Sequence, residues 1–177
     1  MKLSECNKCP LSKSRTKVCI PRGNKRMARY MFVGEAPGKN EDEQGLPFVG
    51  KAGDILAEII KLLGIAMRLV YITNVVKCRP PNNRDPIPYE IERCSSWLDK
   101  EIQQVKPDFI FCLGAIATSR ISPASKRGDI IYHPMWKCYV FFLYHPAALA
   151  YEPNRKVEMN KHLKGYKEFI DEAHGGS

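Results

Sequence analysis

Long hydrophobic runs, internal repeats and low-complexity blocks are all missing from this chain of 177 residues. The longest purely apolar or aromatic stretch, Cys138 to Tyr144, falls far short of the roughly 20 residues that span a bilayer. The polar, basic N-terminus leads into no apolar segment of the signal-peptide kind, so a cytoplasmic protein with no membrane attachment is expected. Without repeats, solenoid and propeller architectures drop out. Acidic residues are scarce in one place only. Residues 1–30 hold Glu5 alone against nine Lys and Arg side chains, whereas residues 31–177 hold 19 basic and 18 acidic ones. Most of the formal charge of +9 therefore comes from the N-terminal arm, residues 1–28. Such a segment suits an anionic polymer such as nucleic acid, or serves as a solvated arm.

What is present describes a globular chain. Hydrophobic residues make up 44% and charged residues 27%, enough apolar material for a packed core. The length predicts one domain, residues 1–174, with 175–177 (Gly-Gly-Ser) as a flexible tail. Short apolar strands are predicted at 29–33, 69–73, 108–113 and 137–144. Helices are predicted at 51–63, 89–105, briefly from Ala115, and from about Asn160 to Ala173. The four prolines between Cys78 and Pro88 rule out a regular element there. Apolar strands alternating with helices predict a three-layer α/β/α sandwich around a central, mostly parallel four-stranded sheet. In such folds ligands sit beyond the carboxyl ends of the strands. The loops after Val33, Thr73, Leu113 and Tyr144 are thus expected to form the site.

Those loops carry the unusual residues. The turn Gly34-Glu35-Ala36-Pro37-Gly38 follows a strand directly and exposes backbone N–H groups, but it lacks the lysine and spacing of a nucleotide P-loop. Phe48, between Pro47 and Gly50, is an aromatic in a loop. It reads either as a stacking platform for a planar base or as a loop anchor. Asn74 ends a strand, and its amide offers both a donor and an acceptor, matching a pyrimidine edge; a plain turn asparagine is the alternative. His145-Pro146 follows the most apolar strand and places an imidazole as a donor or acid. His133-Pro134 precedes that strand and is expected to be structural.

Seven cysteines without an export signal argue against a disulfide framework. Cys6-x2-Cys9 and Cys78-x15-Cys94 could together supply four thiolates to one metal centre. Spacing alone does not separate zinc from iron–sulfur, and unrelated buried thiols are a third reading. Cys112 and Cys138 lie inside apolar strands and, with Cys19, read as structural.

Taken in order, GEAPG…LPFVG, the TN before a cysteine, HPAAL and the four spaced cysteines resemble the family 4 uracil-DNA glycosylases, iron–sulfur enzymes of thermophiles. The resemblance runs from Cys6 to about His162. It implies a DNA repair enzyme that flips uracil out of DNA and hydrolyses its N-glycosidic bond, leaving an abasic site. It implies a [4Fe–4S] cluster on Cys6, Cys9, Cys78 and Cys94. It also implies a uracil pocket of Gly34, Glu35, Phe48, Asn74 and His145. Phe48 would stack on the base, Asn74 would read its edge and His145 would face uracil O2. Glu35 and His145 are the implied catalytic groups, with Glu41 and Asn83 as polar members of the set. Leu149 stands where relatives place a wedge into the duplex, and Arg155 and Lys156 are phosphate-contact candidates by charge. Where more distant uracil glycosylases carry an aspartate in the first motif, this chain has Ala36. The expected partner is uracil-containing DNA, single- or double-stranded, met by a monomer. The alternatives are a glycosylase of broader range for deaminated bases and a non-catalytic Fe–S or zinc DNA-binding module; a thiol oxidoreductase is more distant.

Overall fold

The computed structural model describes residues 2–150 and 152–175. The elements run in the order α1 (Leu11–Ser14), β1 (Tyr30–Gly34), α2 (Lys39–Gln44), α3 (Lys51–Leu62), β2 (Val70–Asn74), α4 (Pro88–Val105), β3 (Phe109–Leu113), α5 (Ala115–Ile121), β4 (Ile130–His133), β5 (Cys138–Leu143), α6 (Pro146–Leu149) and α7 (Pro153–Gly175). The strands form one sheet in the order β2-β1-β3-β5-β4. The β1, β2, β3 and β5 strands are parallel, while β4 pairs antiparallel with β5.

Side chains alternate across the strands and divide the core in two. Phe32, Phe111 and Phe141 stand in register on one face, with ring centroids 4.5 and 4.8 Å apart. They pack against α3, α6 and α7 through Leu56, Ile59, Ile60, Leu149, Leu163 and Tyr166. Met31, Val33, Ile110, Cys112, Val140 and Phe142 face the other way, onto Leu98 and Ile102 of α4 and Ala117 and Ile121 of α5. The α/β/α sandwich is therefore as expected. Cys112 and Cys138 sit fully inside it, and burial pushes the Cys138 thiol up to about 12.

The helix ends follow local chemistry. The α3 stripe stops at Gly64, whose φ of +73° suits a residue without Cβ. The α4 helix starts at Pro88, with Glu90 accepting the Ile87 N–H at 3.0 Å, and stops at left-handed Lys106 before Pro107.

Two expectations need correction, and the N-terminal arm gains a definite place. The sheet has five strands, not four. The extra strand, β4, is an edge strand with alternately exposed residues, so it lacks the continuous apolar run of its buried neighbours. The last helix starts at Pro153 rather than near Asn160 and continues through Gly175; 176 and 177 lie outside the described residues. The N-terminal arm is not free. Backbone N–H groups of Thr16 and Lys17 donate to the buried Asp42 carboxylate at 2.9 and 3.4 Å. Cys19 N–H reaches Lys77 O at 2.8 Å, Ile20 N–H reaches Gly45 O at 2.9 Å, and Arg22 bridges Ile72 of β2. The arm is a strap across the strand-end loops. Among the described residues no helix is long and apolar enough to cross a membrane.

Candidate active site

The carboxyl ends of β1 and β2 lie side by side, Gly34 opposite Asn74. The pairing continues past the sheet, with Val75 N–H on Gly34 O and Val76 N–H on Glu35 O. These bonds hold the Gly34–Gly38 turn over the end of β2. On the other side, Gly114 N–H binds Leu143 O at 2.9 Å. A Cβ on Gly114, which has φ +91°, would come within 3.1 Å of His145 Cβ. Glycine here lets the β5 loop close inward.

The result is a cavity of about 320 Å³ lined by Glu35, Glu41, Phe48, Asn74, Asn83 and His145, together with Pro80, Arg84 and Ala147. Six of the seven residues that the sequence placed in or beside a pocket line it, and the seventh, Gly34, lies against Phe48 and Asn74 without lining it. Arg84 was not foreseen. Its guanidinium forks onto the buried Glu90 carboxylate, at 2.9 and 2.7 Å, anchoring the Pro-rich loop. That ion pair holds Glu90 below the usual carboxylate range.

Phe48 is 5% exposed and adopts φ +53°, a conformation that costs a bulky residue on the order of 1–3 kcal/mol. Two glycines make room for it and one hydrogen bond holds it. A Cβ on Gly53 would fall on the Phe48 carbonyl, a Cβ on Gly34 would lie 2.6 Å from the phenyl ring, and Arg22 Nη2 donates to Phe48 O at 2.9 Å. Glu41 braces both loops, its two carboxylate oxygens accepting Gly38 N–H at 3.1 Å and Val49 N–H at 3.0 Å. That leaves it holding backbone in place. Asn83, also left-handed, accepts from Arg79 Nε at 2.7 Å at the cavity rim.

The polar groups are poised for a ligand. Asn74 is 3% exposed, and its Oδ1 is buried with no hydrogen-bond partner. A buried orphan acceptor is costly unless something brings it a donor. His145 Nδ1 accepts the Ala147 N–H at 3.2 Å, which leaves the imidazole proton on Nε2. Burial lowers the His145 pKa from 6.5 to about 4, so the ring is neutral near pH 7. It lies 5.6 Å from the Phe48 ring at 27°. Burial, then nearby Asp85, raises the Glu35 carboxyl. Behind Asn74, the buried Lys77 ammonium bonds Asn74 O at 2.7 Å, Thr73 Oγ1 at 2.5 Å and Glu101 at 2.8 Å.

The three DNA-contact candidates stand apart from the cavity. Leu149, expected as a wedge, is 4% exposed and packs in the core with α3 and α7, because α6 turns that face of HPAAL inward. Arg155 pairs with Glu152 at 2.7 Å and lies over the Tyr144 ring. Lys156 is exposed on α7, beside a shallow groove.

The cysteines of the two spaced pairs gather at the start of the strap. Cys9 and Cys78 join one small apolar cluster with Leu11 and Val18. Burial raises the Cys78 thiol, Arg15 opposes this through a 3.1 Å bond to its sulfur, and the charges of Cys9 and Cys6 raise it further. Cys94 feels Cys78 and Cys9 in the same way. Trp97 Nε1 donates to Cys6 Sγ at 3.3 Å. Among the described residues, no three His, Cys, Asp or Glu side chains converge closely enough for a single metal ion. Four thiols thus share one neighbourhood, and two of them receive N–H donors.

A doubly wound α/β sheet with a strand-end cavity, an aromatic floor, an unpartnered amide and a neutral imidazole defines a binding site for a planar heterocycle with donor and acceptor edges. The family model for the uracil DNA glycosylase superfamily matches residues 20–168. The chain is 40% identical over 173 residues to the type-4 uracil-DNA glycosylase of Archaeoglobus fulgidus, covering 92% of this chain and 86% of that protein. It is 43% identical over 175 residues to that of Sulfurisphaera tokodaii, covering 92% and 79%. It is 48% identical over 136 residues to that of Thermotoga maritima, covering 73% and 70%. The chain belongs to the uracil-DNA glycosylase superfamily, among the type-4 enzymes.

Proposed function

We propose that the protein is a cytoplasmic, monomeric uracil-DNA glycosylase that initiates base excision repair on single- or double-stranded DNA, with residues 1–174 acting as one unit. The observation that carries the site assignment is the orphaned Asn74 Oδ1 above the Phe48 ring. Uracil presents an N3–H beside O4, so the Asn74 amide can accept from the first and donate to the second. The base must leave the stack to reach this cavity, and unstacking costs a few kcal/mol. Stacking on Phe48 returns about 1–3 kcal/mol of that.

Cleavage of the N1–C1′ bond leaves positive charge on the sugar and negative charge on uracil, much of it at O2. The His145 Nε2–H and the Glu35 and Ala36 amides of the turn are the donors for that developing charge, Gly38 N–H being taken by Glu41 and Pro37 having none, and they favour the transition state over the ground state. Water then attacks C1′, with the half-buried Glu35 at the cavity wall as its polar neighbour. Glu41 and Asn83 hold the loops in place. Among the described residues no lysine lines the cavity, and the reading is hydrolysis without a covalent Schiff base.

Cys6, Cys9, Cys78 and Cys94 are proposed to hold a [4Fe–4S] cluster. When bound, it supplies an iron–thiolate cross-link between the strap and the core. Trp97 and Arg15 shield two of its sulfurs. Leu149 is proposed to meet DNA only if α6 shifts on binding, whereas Arg155 and the exposed Lys156 are proposed to meet phosphates from where they stand.

The test is uracil release from an oligonucleotide with one U opposite G, scored after alkali, beside a thymine control and His145→Ala. Cleavage that needs both uracil and His145 supports the assignment. DNA binding without release from either strand form favours a binding module. Iron and sulfide analysis of the purified protein and of Cys94→Ser tests the cluster. About four irons, lost in the variant, are expected; stoichiometric zinc would overturn the iron assignment.

A further inference from the structure

Arg22 belongs to the strap, far from every motif that marks the site, yet it touches both halves of the recognition pocket. Its guanidinium Nη2 donates to the Phe48 carbonyl at 2.9 Å. Its backbone pairs with Ile72, N–H to O at 3.1 Å and O to N–H at 2.8 Å, two residues before Asn74 on β2. Gly23 makes this closeness possible: at φ +120°, a Cβ there would lie 2.9 Å from Tyr71 Cα. Arg22 is half-buried, and its Nε is buried with no partner. Leaving a guanidinium donor unmet in this way is unfavourable, so the geometry at Phe48 is held at a cost.

Phe48 needs such a hold. Its backbone is left-handed, a conformation that favours glycine. Released, the loop can return to an ordinary φ, and the phenyl ring would swing out from beside Asn74 and His145. Gly53 and Gly34 leave room for the strained position but do not attract the chain into it. The Arg22 bond attracts it.

We propose that Arg22 is a positioning residue for base recognition: it locks the left-handed Phe48 backbone and fastens that lock to the strand carrying Asn74. The proposal rests on the reading of Phe48 and Asn74 as the uracil-binding pair. It makes the strap part of the recognition apparatus, so loosening the strap at its cysteine end would weaken base binding before it affected chemistry.

Inhibition by free uracil and single-turnover release from a U-containing oligonucleotide test this in wild type, Arg22→Gln, Arg22→Lys, Phe48→Ala and the Arg22→Gln/Phe48→Ala double variant. Uracil inhibition reads the pocket without the chemical step. Arg22→Gln is expected to weaken it about 10-fold, the worth of one charge-assisted hydrogen bond. Arg22→Lys, which keeps a charged donor, should recover most of the loss. In the Phe48→Ala background, Arg22→Gln should change inhibition by less than about 2-fold, because the group it positions is gone. Equal losses in both backgrounds would show a general structural role and overturn the proposal, as would an Arg22→Gln indistinguishable from wild type. Should Arg22→Gln fail to fold, a failure of Arg22→Lys to retain uracil inhibition better than Phe48→Ala would overturn it equally. Absence of uracil release by the wild type would instead overturn the underlying reading of the pocket.

Discussion

His145 provides the sharpest test of how the site works. Its Nδ1 is occupied by the Ala147 N–H, and burial lowers its pKa to about 4. The group proposed to face uracil O2 is therefore a neutral imidazole Nε2–H across the working pH range. Removing one such donor from a developing anion costs roughly 10²–10³ in rate, about 3–4 kcal/mol. His145→Ala should show this in single-turnover release at saturating DNA, with a much smaller change in KM. In wild type, the rate should show no ionisation of this group between about pH 5 and pH 8, since its pKa lies below that window. The Glu35 carboxyl is raised, so an acid limb that survives in His145→Ala and vanishes in Glu35→Gln belongs to Glu35.

The same shift makes a stability prediction, and its sign is fixed. The folded pKa, about 4, lies below the unfolded 6.5, so between these values the unfolded chain binds a proton that the folded chain does not. Stability attributable to this histidine is complete above pH 6.5 and falls as pH drops toward 4, by about 3 kcal/mol in all. Urea unfolding of His145→Ala should show a correspondingly shallower pH slope in that window. A wild-type rate limb near pH 6.5 that disappears in His145→Ala would refute the reasoning, because it would mean that an imidazolium does the work.

Three further outcomes follow from the geometry. Asn74→Asp keeps an acceptor for uracil N3–H but puts an oxygen against O4; uracil release should fall at least about 100-fold, measured beside a cytosine substrate. Full uracil activity would remove Asn74 from the readout. Gly34→Ala sets a methyl 2.6 Å from the Phe48 ring and against Asn74 Oδ1. It should weaken free-uracil inhibition at about 1–3 kcal/mol of overpacking, and unchanged inhibition would show that the pocket relaxes freely. Glu101→Gln strands the Lys77 ammonium, whose side chain is 2% exposed. A loss of about 3–5 kcal/mol, or roughly 10 °C in Tm, is expected, whereas a Lys77→Met/Glu101→Leu pair should recover most of it. A double variant as unstable as the single would argue that the hydrogen bonds to Thr73 and Asn74, not the stranded charge, carry the effect.

The parallel strands were legible because burial on both faces demands continuous apolar runs, as in Phe109–Leu113, and because glycine or asparagine ends them. Ile130–His133 was not, since an edge strand hides one face only and Pro134 beside it reads as a loop. The helix Lys39–Gln44 has no apolar stripe at all; it forms because Glu41 caps its own first turn and binds the neighbouring loop. Within the site, Phe48 stood out as an aromatic in a loop and His145 as an imidazole fixed by Pro146 at a strand end, whereas Asn74 reads equally as a plain turn asparagine until the ordered motifs are taken together. Leu149 shows the converse. The segment HPAAL names a loop, but which face of a four-residue helix turns inward is decided by the α3 and α7 side chains it meets.

The supports of the site were illegible for a physical reason. Arg22 and Lys77 look like ordinary surface charges, yet their partners, Phe48 and Glu101, lie 26 and 24 residues away. No local pattern encodes such pairs. The basic arm is the clearest case. Its charge drew attention to nucleic acid, but what docks it is its uncharged backbone: the amides of Thr16, Lys17, Cys19 and Ile20 find acceptors on α2 and the loops around it, and the Cys19 thiol donates to Glu41 O. Because those bonds consume the main chain, Lys13, Lys17 and Arg26 stand exposed along it, while Lys8, Arg15, Arg22 and Lys25 bond the body of the fold. The strap thus braces the loops behind the cavity, through its backbone and the Arg22 bond to Phe48 O, while still presenting positive charge outward. A substitution that reverses its surface charge should change the salt dependence of DNA binding, and one that cuts its backbone bonds should change base recognition.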